Sequence, residues 1–103
     1  MTDKPLSPEE CRTMSDVRVG VNATDAALVE LLARRFGYMR AAARIKHTRD
    51  DVRDERRKAQ VIAAVRDAAV AAGIPADAIA ELWDGLVEAS IAYELEEWDR
   101  SKG

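Results

Sequence analysis

The sequence has few of the residues that usually build metal centres, disulfides and nucleophilic active sites. Its 103 residues include one cysteine, Cys11, and one histidine, His47. Cys11 cannot form an intrachain disulfide and is interpreted as an inert thiol. His47 lacks the cluster of further histidines and cysteines that a zinc site needs, and no glycine-rich phosphate loop or nucleophile elbow is present. The sequence therefore predicts neither a metal nor a cofactor.

Aromatic residues, long apolar runs and a large excess of one charge are also missing. Aromatic residues make up 5% of the chain although 48% of it is hydrophobic, and much of the hydrophobic share is alanine, which suits closely packed helices. No apolar run approaches the roughly 18 residues of a membrane span, and residues 1–16 lack a signal-peptide core. The net charge of −3 argues against nucleic-acid or anionic-membrane partners. We expect a soluble, cytoplasmic, all-α protein.

Hydrophobic spacing predicts three helices, of which the first is long and the other two are shorter. The first is predicted to begin at Ser15 or Asp16 and to continue to about His47. A helix of about 30 residues is about 45 Å long, more than the roughly 30 Å diameter of a small domain. A second subunit that covers the overhang removes this mismatch, so we expect an intertwined homodimer.

The remaining boundaries follow from proline, glycine and aspartate. Pro5 and Pro8 predict an extended arm at residues 1–14, followed by a single helical domain at residues 15–100. Asp50, Asp51 or Asp54 is expected to start the second helix, and Gly73 to end it just before the third helix begins near Pro75. The tail from Asp99 is expected to fray. The buried side of the third helix is predicted to carry Ile79, Leu82, Trp83, Leu86, Val87, Ile91, Leu95 and Trp98.

Cations interrupt the apolar stripe of the first helix at Arg18, Arg35 and Lys46. A buried unpaired charge is costly, so such residues normally face a partner, a ligand or water. Arg35 and Lys46 lie about 16 Å apart along the helix axis and differ by about 20° in phase, which suits the two ends of a small anion. Arg18 lies about 25 Å from Arg35, so we expect it to reach the site of the other chain in an antiparallel dimer. The alternative is a set of coiled-coil-like salt bridges, for example between Arg18 and Asp25.

Two polar residues repeat this pattern on the third helix. Ser90 and Glu94 are four residues apart, in a row that is otherwise apolar, and can face one cavity. The alternative for Ser90 is a hydrogen bond to its own helix, and the alternative for Glu94 is an ion pair with a buried cation. Arg57 belongs to a mixed-charge run that is usually a solvated face.

The order of these residues on three helices resembles the all-helical class of chorismate mutases. It is particularly similar to the small subgroup that includes isochorismate-pyruvate lyases, whose N-terminal arm is similar to PEECRTMSDVR here. The resemblance runs from about Pro8 to Trp98. It implies a homodimer with shared active sites, a small dicarboxylate substrate (chorismate or isochorismate) and a step in aromatic amino acid biosynthesis. The ordered residues that carry it are Arg18, Arg35, Lys46, Arg57, Ser90 and Glu94.

The resemblance also implies a role for each of these residues. As catalytic residues, Arg35 would hold one carboxylate of the substrate, Lys46 would bond the ether oxygen and a carboxylate, and Glu94 would face the same ether oxygen. As substrate-binding residues, Arg18 would reach the other carboxylate from the neighbouring chain. Arg57 and Ser90 would support the ring-side carboxylate; all six residues lie within the matched order.

The implied reaction, chorismate to prephenate, is pericyclic and needs no nucleophile. A site assists it by holding the reactive conformer and by placing cations where the breaking C–O bond gains negative charge. Glu94 can donate to the ether oxygen only when it is protonated. One departure concerns Lys58, because many mutases carry an acid at that position to bind the ring hydroxyl, whereas the lyases do not.

Two alternative functions remain open at this point. One is an isochorismate-pyruvate lyase, which forms salicylate and pyruvate with the same cations. The other is a non-catalytic helical dimer that has no cavity. In that dimer the three cations of the first helix would pair with Asp25, Glu30 or Glu94.

Overall fold

The computed structural model describes residues 4–102, and within that range it contains three α-helices and no strand. Helix α1 is Met14–Ile45, α2 is Glu55–Ala72 and α3 is Ala76–Lys102. Single 3₁₀ turns occur at Pro8–Glu10 and Arg49–Asp51. The predicted all-α class is confirmed. None of the helices in the described range is long and apolar enough to cross a membrane.

The chain forms two compact units, one ending at Arg35 and one beginning at Phe36, and α1 contributes residues to both. The first unit contains the N-terminal arm. The arm is not fully extended, because Pro8 occupies the first position of a 3₁₀ turn whose start is closed by Ser7 and Glu10. The Ser7 backbone N–H and hydroxyl both donate to the Glu10 carboxylate, at 3.0 and 2.9 Å. Proline therefore begins a turn here, since its missing N–H is not needed at that position.

Helix α1 begins with a capping box at Thr13, two or three residues earlier than the predicted caps. The Thr13 hydroxyl accepts a hydrogen bond from the Asp16 backbone N–H at 3.1 Å. The Asp16 carboxylate accepts from the backbone N–H of Thr13 at 3.2 Å and of Arg12 at 3.0 Å. The predicted caps, Ser15 and Asp16, are therefore wrong, because Thr13 is the cap. Asp16 instead closes the box from the third helical position.

The part of α1 in the first unit leaves much apolar surface open in the single chain. Leu28 is 50% exposed and Leu31 is 60% exposed. Met14, Val21 and Val29 are exposed as well. A helix face with this much uncovered apolar surface is typical of a region that associates with another surface.

Helix α2 has the ends that its sequence predicts. The Asp54 carboxylate caps it by accepting from the Arg57 backbone N–H at 3.0 Å. Gly73 ends it in the left-handed conformation, with φ of 73°. The N–H of Ile74 then bonds the Ala69 carbonyl at 3.0 Å and that of Gly73 bonds the Val70 carbonyl at 3.1 Å. This pattern is a Schellman motif, which needs a residue that adopts positive φ without strain.

The core of the second unit lies between α2, α3 and the 3₁₀ turn that joins α1 to α2. Val52, Val87 and Ile91 are its buried residues. Side chains that pack against them are Val61, Ile62, Trp83, Leu95 and Trp98. Leu82, which was predicted to be buried, is 65% exposed, so the apolar side of α3 is narrower at its first turns than the spacing suggests. Helix α3 also continues to Lys102, through the tail that was expected to fray.

One carboxylate joins the start of α2 to α3. Glu88 on α3 bonds both terminal nitrogens of Arg53, at 2.7 and 3.1 Å, and the ammonium of Lys58 at 2.8 Å. Lys58 also pairs with Asp84 at 2.9 Å. These hydrogen bonds, from Arg53 first and then Lys58, lower the pKa of Glu88 from 4.5 to about 2.

We expect Glu88→Gln to remove a pH-dependent part of the stability. Because the folded-state pKa of Glu88 lies below its ordinary value, its contribution is complete above about pH 4.5 and is lost as the pH falls through about 2. The free energy of unfolding of the variant should fall furthest below that of the wild type above pH 5, and the gap should narrow towards pH 2. Urea denaturation at several pH values measures this gap.

Asp77→Asn is the matched control, since it removes one carboxylate from an exposed ion pair with Arg66 on the same two helices. A gap between the wild type and Glu88→Gln that stays constant from pH 6 to pH 2 would contradict the expected role of Glu88.

Candidate functional site

Lys46 and Glu94 form the centre of the candidate site in the second unit. Lys46 follows directly after the last residue of α1, and its backbone N–H still bonds the Ala42 carbonyl at 2.9 Å. Its ammonium nitrogen lies 2.7 Å from Oε2 of Glu94. Glu94 is 4% exposed, whereas 30% of the Lys46 side chain is exposed. The carboxylate of the pair is therefore shielded from solvent, whereas the lysine side chain remains accessible to solvent or a ligand.

The position of Glu94 explains why this pair is required. Glu94 lies on α3 three residues after Ile91, which is part of the core. A carboxylate at such a site is stabilised by a cation, and loss of Lys46 would leave the buried charge of Glu94 uncompensated. Glu94 forms the ion pair that was predicted as its alternative, but its partner Lys46 is partly exposed and not buried. The ammonium group of Lys46 has three N–H donors and gives one to Glu94, so it can donate further hydrogen bonds to a ligand.

Ser90 lies one helical turn before Glu94 and is 3% exposed. Its hydroxyl donates to the Leu86 carbonyl at 2.7 Å, so the alternative expected for Ser90, a bond back to its own helix, is confirmed. The hydroxyl has one hydrogen. Donation from Ser90 to a substrate carboxylate would therefore require the hydroxyl to turn away from Leu86.

Arg57 and Lys58 lie in the first turn of α2. Arg57 is exposed, and its backbone is fixed by the Asp54 cap. The ammonium of Lys58 is bound by Asp84 and Glu88. Glu88 and Glu94 are six residues apart, which places them about 120° apart around a helix. Lys58 is therefore held on a different side of α3 from Glu94.

Arg18 and Arg35 belong to the first unit, whereas Lys46, Arg57, Ser90 and Glu94 belong to the second. Arg18 is exposed and Arg35 is half-buried. Within the second unit the structure brings Lys46 and Glu94 into direct contact and places Ser90 on the same row of α3 as Glu94. The assignment of Arg18, Arg35 and Arg57 to one substrate pocket stays a prediction.

Sequence reasoning missed a contact that involves Trp98. Its indole nitrogen donates to the backbone carbonyl of Lys46 at 3.3 Å. The sequence placed Trp98 on the buried side of the third helix, and Trp98 does pack against the core. A signal was present, because Trp98 is four residues after Glu94 and eight after Ser90, so it continues their row on α3.

This arrangement suits a small ligand with oxygen atoms. The ammonium of Lys46 combines an exposed side with a fixed acceptor at Glu94. A cation that is held in place beside low-dielectric surroundings stabilises negative charge on a ligand more than a cation in water does. The site offers electrostatic stabilisation and hydrogen bonds.

Comparisons with known proteins match the sequence that carries this site to a family. A family model described as chorismate mutase type II matches residues 17–95. Isochorismate pyruvate lyase of Pseudomonas aeruginosa is 26% identical over 97 residues, which cover 94% of this chain and 96% of that protein. The matched range holds every candidate residue from Arg18 to Glu94. Because the family model covers most of the sequence, the chain belongs to the chorismate mutase type II family.

Proposed function

We propose that this protein is a chorismate mutase that converts chorismate to prephenate at a pocket containing Lys46 and Glu94. The observation that carries the proposal is the 2.7 Å pair between the partly open ammonium of Lys46 and the buried Glu94, in a chain of the chorismate mutase type II family. In this reaction one C–O bond breaks and one C–C bond forms within a single molecule. No proton, electron or co-reactant is exchanged, so the site needs only to bind and stabilise.

Each proposed role uses a group with suitable chemistry. The N–H groups of Lys46 that do not bond Glu94 donate to the ether oxygen, where negative charge grows as the C–O bond breaks. Glu94 orients the ammonium when ionised and donates to the same oxygen when protonated. Arg35 holds one carboxylate of the substrate, and Arg57 and Ser90 support the other end. Fixing both ends of the substrate favours the compact conformer that reacts.

We also propose that the active form is an intertwined homodimer in which Arg18 completes the site of the partner subunit. The support is the open apolar surface of α1, including Leu28 and Leu31, both at least half exposed. An identical chain offers the same surface, so a two-fold arrangement covers both copies at once. The cytoplasmic location predicted from composition belongs to this proposal as well.

An isochorismate-pyruvate lyase is the second candidate. Its support is the similarity to the lyase of Pseudomonas aeruginosa over nearly the whole chain. Lys58 also stands where many mutases carry an acid, and its ammonium is occupied by Asp84 and Glu88. A non-catalytic dimer accounts for the Lys46–Glu94 pair too, but it gives no reason for membership in a family named for an enzyme.

We expect the purified protein to convert chorismate to prephenate, and Lys46→Ala to lower kcat by a factor on the order of 10² to 10³ because it removes a donor to the developing charge. Chorismate and isochorismate are incubated separately, and prephenate, salicylate and pyruvate are measured. Arg66→Ala is the control, since Arg66 forms an exposed ion pair with Asp77 and has no proposed role in the site. Salicylate from isochorismate, with no prephenate from chorismate, would replace the first candidate by the second.

If Glu94 donates to the ether oxygen, we expect the wild-type activity to depend on pH, since only the protonated carboxyl has a hydrogen to give. Glu94→Gln keeps a donor at every pH and should flatten the pH–rate profile. The profiles of kcat and kcat/KM from pH 4 to pH 9 test this. An unchanged profile in the variant would exclude Glu94 as the donor.

We expect Arg18→Ala and Lys46→Ala to recover activity when they are mixed. In a shared-site homodimer, a mixed dimer has one site with both residues intact, so random exchange of subunits restores roughly a quarter of the wild-type sites. Activity is measured after exchange of two differently tagged variants. Lys46→Ala mixed with Glu94→Ala is the control, because these two residues meet within one chain and no intact site can form. Equal activity in both mixtures, with exchange demonstrated, contradicts the shared site.

A further inference from the structure

The last turn of α3 binds the segment of chain that carries Lys46. Trp98 donates its indole N–H to the Lys46 carbonyl at 3.3 Å. Asp99 accepts two hydrogen bonds from Arg49, at 2.8 and 3.2 Å. The ammonium of Lys102 donates to the Arg44 carbonyl at 3.0 Å. Three side chains among the last five residues of α3 therefore bind Arg44, Lys46 and Arg49, at and just after the end of α1.

The end of α1 depends on these side chains because it has no terminator of its own. The last carbonyls of a helix lack partners within the helix. Helix α2 satisfies its last carbonyls through Gly73, which adopts positive φ. Helix α1 is followed by Lys46, His47 and Thr48, and no non-glycine residue between 4 and 102 has positive φ, so α1 lacks a terminator of this kind. Here α3 supplies the donors through Trp98 and Lys102.

Lys46 is consequently bound to α3 both through its backbone carbonyl and through its side-chain ammonium. Trp98 bonds its backbone, and Glu94 bonds its ammonium. Glu94 and Trp98 are one turn apart on the same face of α3, with β-carbons about 6 Å apart. A lysine on a flexible four-carbon stem loses much of its freedom when its two ends are bound to neighbouring points of one rigid helix.

We propose that Trp98 is a positioning residue for Lys46, which acts through the hydrogen bond from its indole N–H to the Lys46 carbonyl. The bond fixes the backbone position of Lys46, and Glu94 fixes the position of its ammonium group. The catalytic consequence rests on the proposed function, in which Lys46 bonds the ether oxygen. The positioning itself does not depend on which substrate the site accepts.

Trp98→Phe tests the proposal kinetically. It removes the N–H while keeping an aromatic ring in the core, and we expect kcat to fall about fivefold to tenfold with KM changed less than twofold, the size of one lost hydrogen bond. Trp83→Phe is the matched control, because Trp83 packs against the same core. Its kcat should stay near that of the wild type. Equal losses of kcat in the two variants would overturn the proposal.

A second replacement separates the hydrogen bond from packing. Incorporation of β-(3-benzothienyl)alanine at position 98 keeps the two-ring shape and replaces the N–H by sulfur, so it also serves if the phenylalanine variant fails to fold. We expect the same fivefold to tenfold loss of kcat. Wild-type kcat with this isostere would show that only the shape of Trp98 matters and would refute the proposal.

A third measurement does not require activity. The ¹⁵N-detected ammonium signal of Lys46, assigned by its loss in Lys46→Arg, should be observable in the wild type because the pair with Glu94 slows proton exchange. We expect the signal to be lost in Trp98→Phe and kept in Trp83→Phe. Retention in Trp98→Phe would contradict the positioning role. A wild type that converts neither chorismate nor isochorismate would contradict the proposed function alone, since this signal still decides the role of Trp98.

Discussion

The ion pair between Lys46 and Glu94 is the constraint on which the second unit depends. Glu94 is buried next to the core, where an unpaired carboxylate would be strongly destabilising. The cation that stabilises it comes from the end of α1, which obliges α1 to end beside the last third of α3. Because the two residues are 48 positions apart in the chain, this contact both holds the end of α1 against α3 and forms the centre of the candidate site.

Helix α3 performs two tasks with two adjacent rows of side chains. Val87 and Ile91 belong to the core row, whereas Ser90, Glu94 and Trp98 form the polar row beside it. Both rows are spaced by three or four residues, so a single rigid element carries them. Any motion of the polar row relative to the core would disturb packing at close density. The core thus supplies the rigidity that an electrostatic site requires.

The features that the sequence predicts well are those determined by near neighbours. The cap at Asp54 and the terminator Gly73 each depend on hydrogen bonds within a few residues. The local sequence therefore identifies Gly73 and narrows the start of α2 to three aspartates, one of which is Asp54. The contact between Trp98 and Lys46 joins residues 52 positions apart, and it exists only once α1 and α3 are packed. The cap at Thr13 was missed for a different reason, because both Thr13 and Ser15 are acceptable caps and local propensity does not separate them.

A pericyclic reaction suits a chain that is poor in nucleophiles and metal ligands. Such a reaction requires only that a flexible dianion be held in one conformer while a fixed cation meets the charge that develops. Lysine alone is a poor fixed cation because its side chain is long and mobile. Attachment of Lys46 at its carbonyl by Trp98 and at its ammonium by Glu94 turns it into a directed one. The proposed catalyst therefore consists less of a reactive group than of the two contacts that keep an ordinary lysine in place.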